Sequence, residues 1–442
     1  MSDGSSATPD GGKAPDSATA ALIDAARRSD LGLVLGTLLL IYAAATVLTF
    51  TSGLNSVVGL MRTLTFLGLV YALSALALNL QWGYAGLFNI GVAGFMALGV
   101  YTMGIVVRSP DPAFGPPGFG LPLPVGIVAG MGMAAIVGLV AALPALRLKA
   151  DYLAIVTLGI SEIVRLFLQS SAFDTFLRES IGVGTGGGRG MGMPDNPVRD
   201  LFLVAGQSGS PTPLGDLVFG IFGEGGLGIS HSILIDWGYI AVLAAFVIGF
   251  YVLLERLGRS PFGRTLKAIR EDELVANSLG KNVDLIKIKV FVIGCALMGL
   301  AGILWFGSQG NVSPTPQFMP LLTFYVFVAV IIGGSGSNTG AVLGGIVFAT
   351  VLFEGPRRVG SAVRDVIDAE TPSSFADAVV SLDPTAFLAY ATDNIAPLQF
   401  VFLGFILVFI MHRRPDGLLG DRIETAAAVD LSERPHGGDA DE

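Results

Sequence analysis

VVGLMRTLTFLGLVYALSALALNL fills residues 57–80 with one charged side chain, Arg62. As an α-helix it is about 36 Å long, enough to cross a hydrocarbon core of about 30 Å. Apolar residues follow one another without the every-other-residue alternation of a membrane β-strand. Working outward, comparable blocks lie at 31–50, 87–107, 122–143, 233–254, 288–306, 321–332, 340–353 and 398–411. The chain of 442 residues is 52% hydrophobic and 14% charged, against about a quarter charged in a soluble domain. The expected fold is an all-α, polytopic integral membrane protein. A transmembrane barrel is excluded by the continuity of the blocks.

The full spans are expected at 31–50, 57–80, 85–107, 122–143, 152–170, 233–254, 287–307 and 396–411. Residues 321–353 add two shorter apolar pieces separated by GGSGSNTG, residues 333–340. That makes about ten transmembrane segments, one of them broken or re-entrant. The glycine break reads either as a tight turn between two short spans or as a discontinuous helix. Irregular backbone at membrane depth needs protein or a water-filled cavity around it, so the second reading points Gly333, Gly334 and Gly336 at a translocation pathway.

Lys and Arg mark the cytoplasmic side of short loops. Residues 255–289 hold eight of them against five acids, Glu255, Glu271, Asp272, Glu273 and Asp284. The connection 255–286 is therefore expected to be cytoplasmic, as are Arg147, Lys149, Arg413 and Arg414. The acidic connections 171–232 and 355–395 are expected outside, and both termini inside. Residues 1–30 and 421–442 read as disordered acidic tails, leaving 31–420 as the membrane domain. After Gly420, seven acids face two arginines and account for much of the net charge of −9.

The connection contains AIREDELVANSLG, residues 268–280, a polar helix-forming stretch between two apolar spans. Pro261 and Gly263 open it and Gly280 closes it, which predicts one helix over 264–279, about 24 Å long. Leu266, Ala268, Ile269, Val275, Ala276 and Leu279 share an arc that also holds Asp272 and Glu273. Arg264, Lys267, Arg270 and Glu271 occupy the other side. Such a helix lies on lipid headgroups or fits a partner's groove. Acids within the apolar arc suit a groove that supplies basic partners. Arg270, Glu271, Asp272, Glu273, Ala276 and Gly280 are the candidate contact residues.

Within the spans, Glu162 and Arg165 lie three residues apart on one helical face. Intramembrane charges pair with one another or line a pathway. Gln81 and Asn89 each either hydrogen-bond between helices or touch substrate, and Asn89 is the pathway candidate of the two. Gly83, Gly86, Gly91, Gly94 and Gly99 predict close helix approach, and Arg62 is expected to snorkel to the headgroups. A single cysteine, Cys295, excludes an internal disulfide. His231, His412 and His436 have no ligand-like neighbours, so no metal site is expected. No G-x-x-x-x-G-K-[ST] phosphate loop is present, so no nucleotide cofactor is expected in this chain.

Five stretches, in order, carry a resemblance. They are LNLQWGYAGLFNIGVAGFMALGVYT (78–102), DYLAIVTLGISEIVRL (151–166), GRTLKAIREDELVANSLGKNVDLIKIKVFVIGCALMGLAGILW (263–305), VIIGGSGSNTGAVLGG (330–345) and RRPDGLLG (413–420). Together the chain resembles the branched-chain amino acid ABC importer permeases, the LivM-like branch. In that family the third stretch is the counterpart of the loop that docks on the ATPase. The resemblance implies a plasma-membrane, multi-pass permease subunit and not an enzyme. It implies a second related permease, two cytoplasmic ABC ATPase subunits that hydrolyse ATP, and an extracytoplasmic substrate-binding protein. Membrane lipid surrounds the assembly, and no nucleic acid takes part. The implied cargo is a branched-chain or related small amino acid, with urea or short amides as the alternative. An ion-coupled secondary transporter with Glu162 as carrier is the rival class. Three features depart from the family pattern: Val275 where paired alanines are usual, Val92 in place of a histidine, and a long 355–394 connection.

Overall fold

The computed structural model describes residues 30–419 except 50–52, 113–114, 146–149, 195, 205–209, 224–225 and 367–370. Both expected tails fall essentially outside the described residues.

Among the described residues, seven helices are long and apolar enough to cross a membrane: Leu54–Tyr84, Leu123–Pro144, Tyr152–Gln169, His231–Arg259, Val283–Phe306, Pro314–Gly333 and Asn338–Ser361. Three shorter apolar helices, Gly32–Val47, Val92–Val107 and Gln399–Arg413, fill the remaining expected places. The fold is all-α and polytopic. The membrane helices are α1 (Asp30–Thr49), α2 (Leu54–Leu78), α3 (Val92–Val107), α4 (Leu123–Ala145) and α5 (Ala150–Gln169). After the 171–230 connection comes α6 (His231–Arg259). Two short polar helices follow, α7 (Pro261–Glu271) and α8 (Glu273–Ser278). Then come α9 (Val283–Phe306), α10 (Pro320–Gly333), α11 (Asn338–Val347), α12 (Gly355–Val366) and α13 (Ile395–Arg413).

The core follows from sequence. The second half of α2 is apolar all round, and Val70 to Leu78 are all buried, as such a helix must be. Tyr71 meets Trp305 of α9 and Phe348 edge-on, at 4.7 and 4.9 Å between ring centroids. Gly99 of α3 lets α9 approach closely: a Cβ there would sit 2.2 Å from the Gly299 carbonyl oxygen. Without a hydrophobic drive between helices in lipid, this contact of small residues is what packs them.

The structure corrects three sequence expectations. The span expected at 85–107 resumes as helix only from Val92; Ala85 ends the preceding helix, and residues 86–91 are non-helical and largely buried. The helix before them ends in a π-helical segment, Asn79–Tyr84. The glycine run 333–340 forms a tight turn between α10 and α11, which pack closely; a Cβ on Gly344 would sit 2.1 Å from the Ala329 carbonyl oxygen. The single helix expected over 264–279 is two, parted at Asp272, whose φ of −153° and ψ of 109° are extended. Lastly, Arg62, expected to snorkel, is paired with Asp236 of α6 at 2.5 Å.

α11 continues through a second π-helical segment, Phe348–Glu354, into α12. The 355–394 connection is helical through much of its length, with further helices at Phe375–Val380 and Pro384–Asp393. At the end of the bundle away from α7, strand β1 (Met191–Gly192) pairs antiparallel with β2 (Asn311–Val312), with Met191 opposite Val312. Arg108 donates to the Gly192 carbonyl there at 2.9 Å.

Candidate functional site

α7 starts as its sequence dictates. Ser260 accepts from the Gly263 N–H at 3.2 Å and Pro261 sits in the first turn, a position that asks for no backbone donor. Leu266 and Ile269 are buried, so one face of α7 is seated on the bundle. Asp272 then ends the helix and caps the next one. Its carboxylate accepts from the N–H groups of Leu274 and Val275 at 2.8 and 3.1 Å. Asp and Asn do this well because the ionised or amide oxygen satisfies orphan donors of the first turn.

The break turns α8 away from the arc a continuous helix would have. Leu274, Val275 and Leu279 are 77%, 54% and 74% exposed, whereas Ala276 is only 2% exposed. The expected apolar arc is thereby corrected: Val275 and Leu279 face outward. Ala276 packs within the chain, against Ile269, Val283 and Ile286. Glu273 is paired with Lys287 of the same chain, so the expected basic partner is internal. Glu271 is exposed. Gly280 has φ +76°, the left-handed conformation its place after a helix end predicts.

Arg270 is exposed, but its guanidinium reaches the bundle. Its Nη1 donates to the Gly83 carbonyl, in the π-helical end of α2. A Cβ on Gly336 would stand 3.0 Å from the same nitrogen, and one on Gly86 would stand 3.4 Å from Arg270 Cγ. The Lys267 ammonium lies 5.6 Å over the Tyr84 ring. Asn338 Nδ2 donates to Tyr84 Oη at 2.8 Å and to Glu255 Oε2 at 3.3 Å. Asn79 donates to Asn338 Oδ1 at 3.2 Å and accepts from the Gly336 N–H at 2.8 Å. From the C-terminal end, Leu418 and Leu419 donate their N–H groups to the carbonyls of Ile332 and Gly333 at 2.8 and 3.0 Å. A Cβ on Gly334's neighbour across this contact, Gly417, would lie 2.5 Å from the Gly334 nitrogen. Four of the five quoted stretches thus meet at one end of the bundle. Gly333, Gly334 and Gly336, read from sequence as pathway residues, belong to this junction with Arg270. Asn79, Tyr84, Glu255 and Asn338 escaped the sequence reading. Their signal was polarity at the edges of apolar runs, where a local reading gives no partner.

The non-helical residues 86–91 lead inward from this junction. Asn89 and Gln81 are fully buried and joined, Asn89 Nδ2 donating to Gln81 Oε1 at 2.8 Å. Gln81 Nε2 donates to the Phe291 carbonyl of α9 at 2.8 Å. The N–H groups left free by the missing helix find side chains: Gly91 bonds Asn89 Oδ1 at 2.8 Å, Ile90 bonds Thr157 Oγ1 at 2.9 Å and Ala93 bonds Thr323 Oγ1 at 3.0 Å. A buried polar backbone requires such partners. This is the discontinuous helix of the fold. Thr157 and Thr323 were also missed, since a threonine in an apolar span is commonplace by itself.

Glu162 and Arg165 form the expected pair, with Arg165 Nε to Glu162 Oε2 at 2.9 Å. Arg165 Nη1 also bonds Gln169 Oε1 at 2.9 Å and Thr315 Oγ1 at 2.5 Å. The pair lies in the second half of α5, with Arg165 toward the β1–β2 end. No group of three potential metal-binding side chains occurs among the described residues.

A polytopic helical bundle with a discontinuous inner helix and a polar helix pair seated on one end has the architecture of a membrane permease. The family described as the branched-chain amino acid transport system permease component matches residues 60–355, and the chain belongs to that family. It is 35% identical over 280 residues to the high-affinity branched-chain amino acid transport system permease protein LivM of Escherichia coli, covering 63% of this chain and 60% of that protein. It is 28% identical over 316 residues to the probable branched-chain amino acid transport permease protein LivM of Methanocaldococcus jannaschii, covering 65% and 79%. A shorter match, 29% over 128 residues, is to the permease protein LivH of Escherichia coli, covering 29% and 39%. The chain thus spans about three fifths of the length of the bacterial LivM proteins it matches. No solved structure matches.

Proposed function

We propose that this chain is a permease subunit of an ATP-binding-cassette importer that moves branched-chain or related small amino acids across the plasma membrane. Transport runs by alternating access. Two separate ATPase subunits supply ATP hydrolysis, a second related permease completes the membrane pore, and an extracytoplasmic binding protein delivers the cargo. The end carrying α7, α8 and Arg413 faces the cytoplasm with both termini, in keeping with its basic side chains. The observation that supports this reading best is the outward-facing apolar group Leu274, Val275 and Leu279 on a polar helix that is itself anchored to the bundle. Exposed apolar side chains on a short, fixed helix suit a groove on a partner protein. Glu271 lies beside this group, while Asp272 shapes the helix and Gly280 ends it.

The test is purification of the tagged chain from its host's membranes with Leu274→Glu and Leu279→Glu together. ATPase recovery and ATP-dependent leucine uptake should fall roughly tenfold or more, as for central interface residues. Membrane content should stay unchanged, because neither residue lies in a span. Normal ATPase recovery with the double variant would refute α8 as the docking element.

A further inference from the structure

We infer that Arg270 is a positioning residue that transmits movement of α7 to the discontinuous segment 86–91 through a backbone carbonyl. The inference rests on the importer reading and adds the route by which force enters the bundle. Arg270 sits in the last turn of α7, one residue before α7 ends and two before the capping residue Asp272. Arg270 is exposed, yet its guanidinium reaches back to the bundle. It donates to the carbonyl of Gly83.

That carbonyl is a specific choice of anchor. Gly83 lies in the π-helical turn that closes α2. The last carbonyls of a helix lack intrahelical donors and carry the negative end of its dipole, so a guanidinium there acts as a charged cap. A charged hydrogen bond of this kind is stronger than a neutral one. The aliphatic part of Arg270 rests against Gly86, whose φ of +67° redirects the chain into 86–91. Gly336, in the α10–α11 turn, approaches the same nitrogen. One side chain therefore touches the end of α2, the start of the non-helical segment and the turn of the hairpin.

The contacts within 86–91 make this segment a receiver. Leu87 N–H bonds the Gln81 carbonyl at 2.9 Å, and Asn89 is tied to Gln81. Beyond it α3 begins, with Gly91 and Ala93 bonded to Asn89 and Thr323. A displacement of α7 is passed through Gly83 and Gly86 into a stretch with no helical ladder to resist it. Lys267 on Tyr84 guides the same motion from one turn back. Leu274, Val275 and Leu279 form the outward apolar group, while Arg270 bonds the end of α2, so docking and transmission fall on different residues.

The experiment uses the full-length tagged chain from its host's membranes with Arg270→Met and Arg270→Lys. Two readouts are taken. In proteoliposomes made from the purified assembly, leucine imported per ATP hydrolysed should fall roughly tenfold in Arg270→Met, the scale of one charged hydrogen bond. ATPase recovery should fall far less than with Leu274→Glu and Leu279→Glu, because the outward apolar group of α8 is intact. Arg270→Lys keeps one cationic donor and should restore part of the ratio. In the purified chain alone, amide hydrogen exchange over residues 86–91 should quicken in Arg270→Met. Unchanged protection of 86–91 would overturn the inference whatever the chain transports. Parallel loss of assembly, melting temperature and uptake, with no rescue by lysine, would reduce Arg270 to a structural part and overturn it too. If the wild-type assembly imports no leucine, the importer reading fails on its own, and the exchange result still decides the latch.

Discussion

Two glycine-containing interruptions divide apolar runs in this chain, at 86–91 and at 334–337, and they do opposite things. In sequence the interruption at 334–337 is the more conspicuous, yet it is only a turn at the end of the bundle. Its helices, α10 and α11, lie against one another through glycines, and Ser337 caps α11 by accepting from Gly340 N–H at 3.0 Å. The interruption at 86–91 passes through the interior, and its freed donors are held by Asn89, Thr157 and Thr323. Glycine marks where a chain can bend or approach. Buried amides and hydroxyls from other helices mark where it is broken at depth.

The largest expected effect comes from stripping the interior break of its support. Asn89→Leu strands Gln81 Oε1 and the Gly91 N–H without water, at about 2–5 kcal/mol for two unsatisfied buried groups. Ser337→Ala removes a cap near the surface of the bundle and should cost about 1 kcal/mol. Thermal melting of the detergent-purified variants compares them directly. Equal losses would erase the distinction between the two interruptions.

The Glu162–Arg165 pair sharpens the comparison from another side, because there the polar groups satisfy each other along one helix. Either single change, Glu162→Gln or Arg165→Met, should destabilise by about 1–2 kcal/mol, discounted for the partial exposure of Glu162. The double variant should recover most of that loss and retain uptake. If the double variant is as inactive as Glu162→Gln, the carboxylate serves transport itself and the ion-coupled class regains ground.

The smallest effect is local. Asp272→Ala removes the acceptor for Leu274 and Val275 N–H and should cost α8 about 1 kcal/mol. Amide exchange at 274 and 275 should rise while that at 86–91 stays protected. Loosening of both segments would mean that docking and transmission are not separate.

The spans were legible because crossing a membrane is a local demand, met by length and apolarity in each run. Gly280 was legible for a similar reason: a glycine after a polar helix has one common use. The break at Asp272 was not. REDELVANS has good helical periodicity, and only the competing use of the Asp272 carboxylate as a cap parts it. That choice then moved Val275 and Leu279 from the expected inner arc to the outside and placed Glu273 against Lys287. The contacts of Asn79 with Asn338 span 259 residues of sequence. Each asparagine is alike on its own, and only packing of α2 against α11 brings them together.

The π-helical turn at Asn79–Tyr84 has a consequence for the register of everything after it. Such a turn carries one residue more than an α-helical turn within the same ladder. Winding it back to α-helix would swing the following chain by about 100° and advance it by about 1.5 Å. The helix end bonded by Arg270 thereby sets the rotational register at which the following segment and α3 enter the bundle.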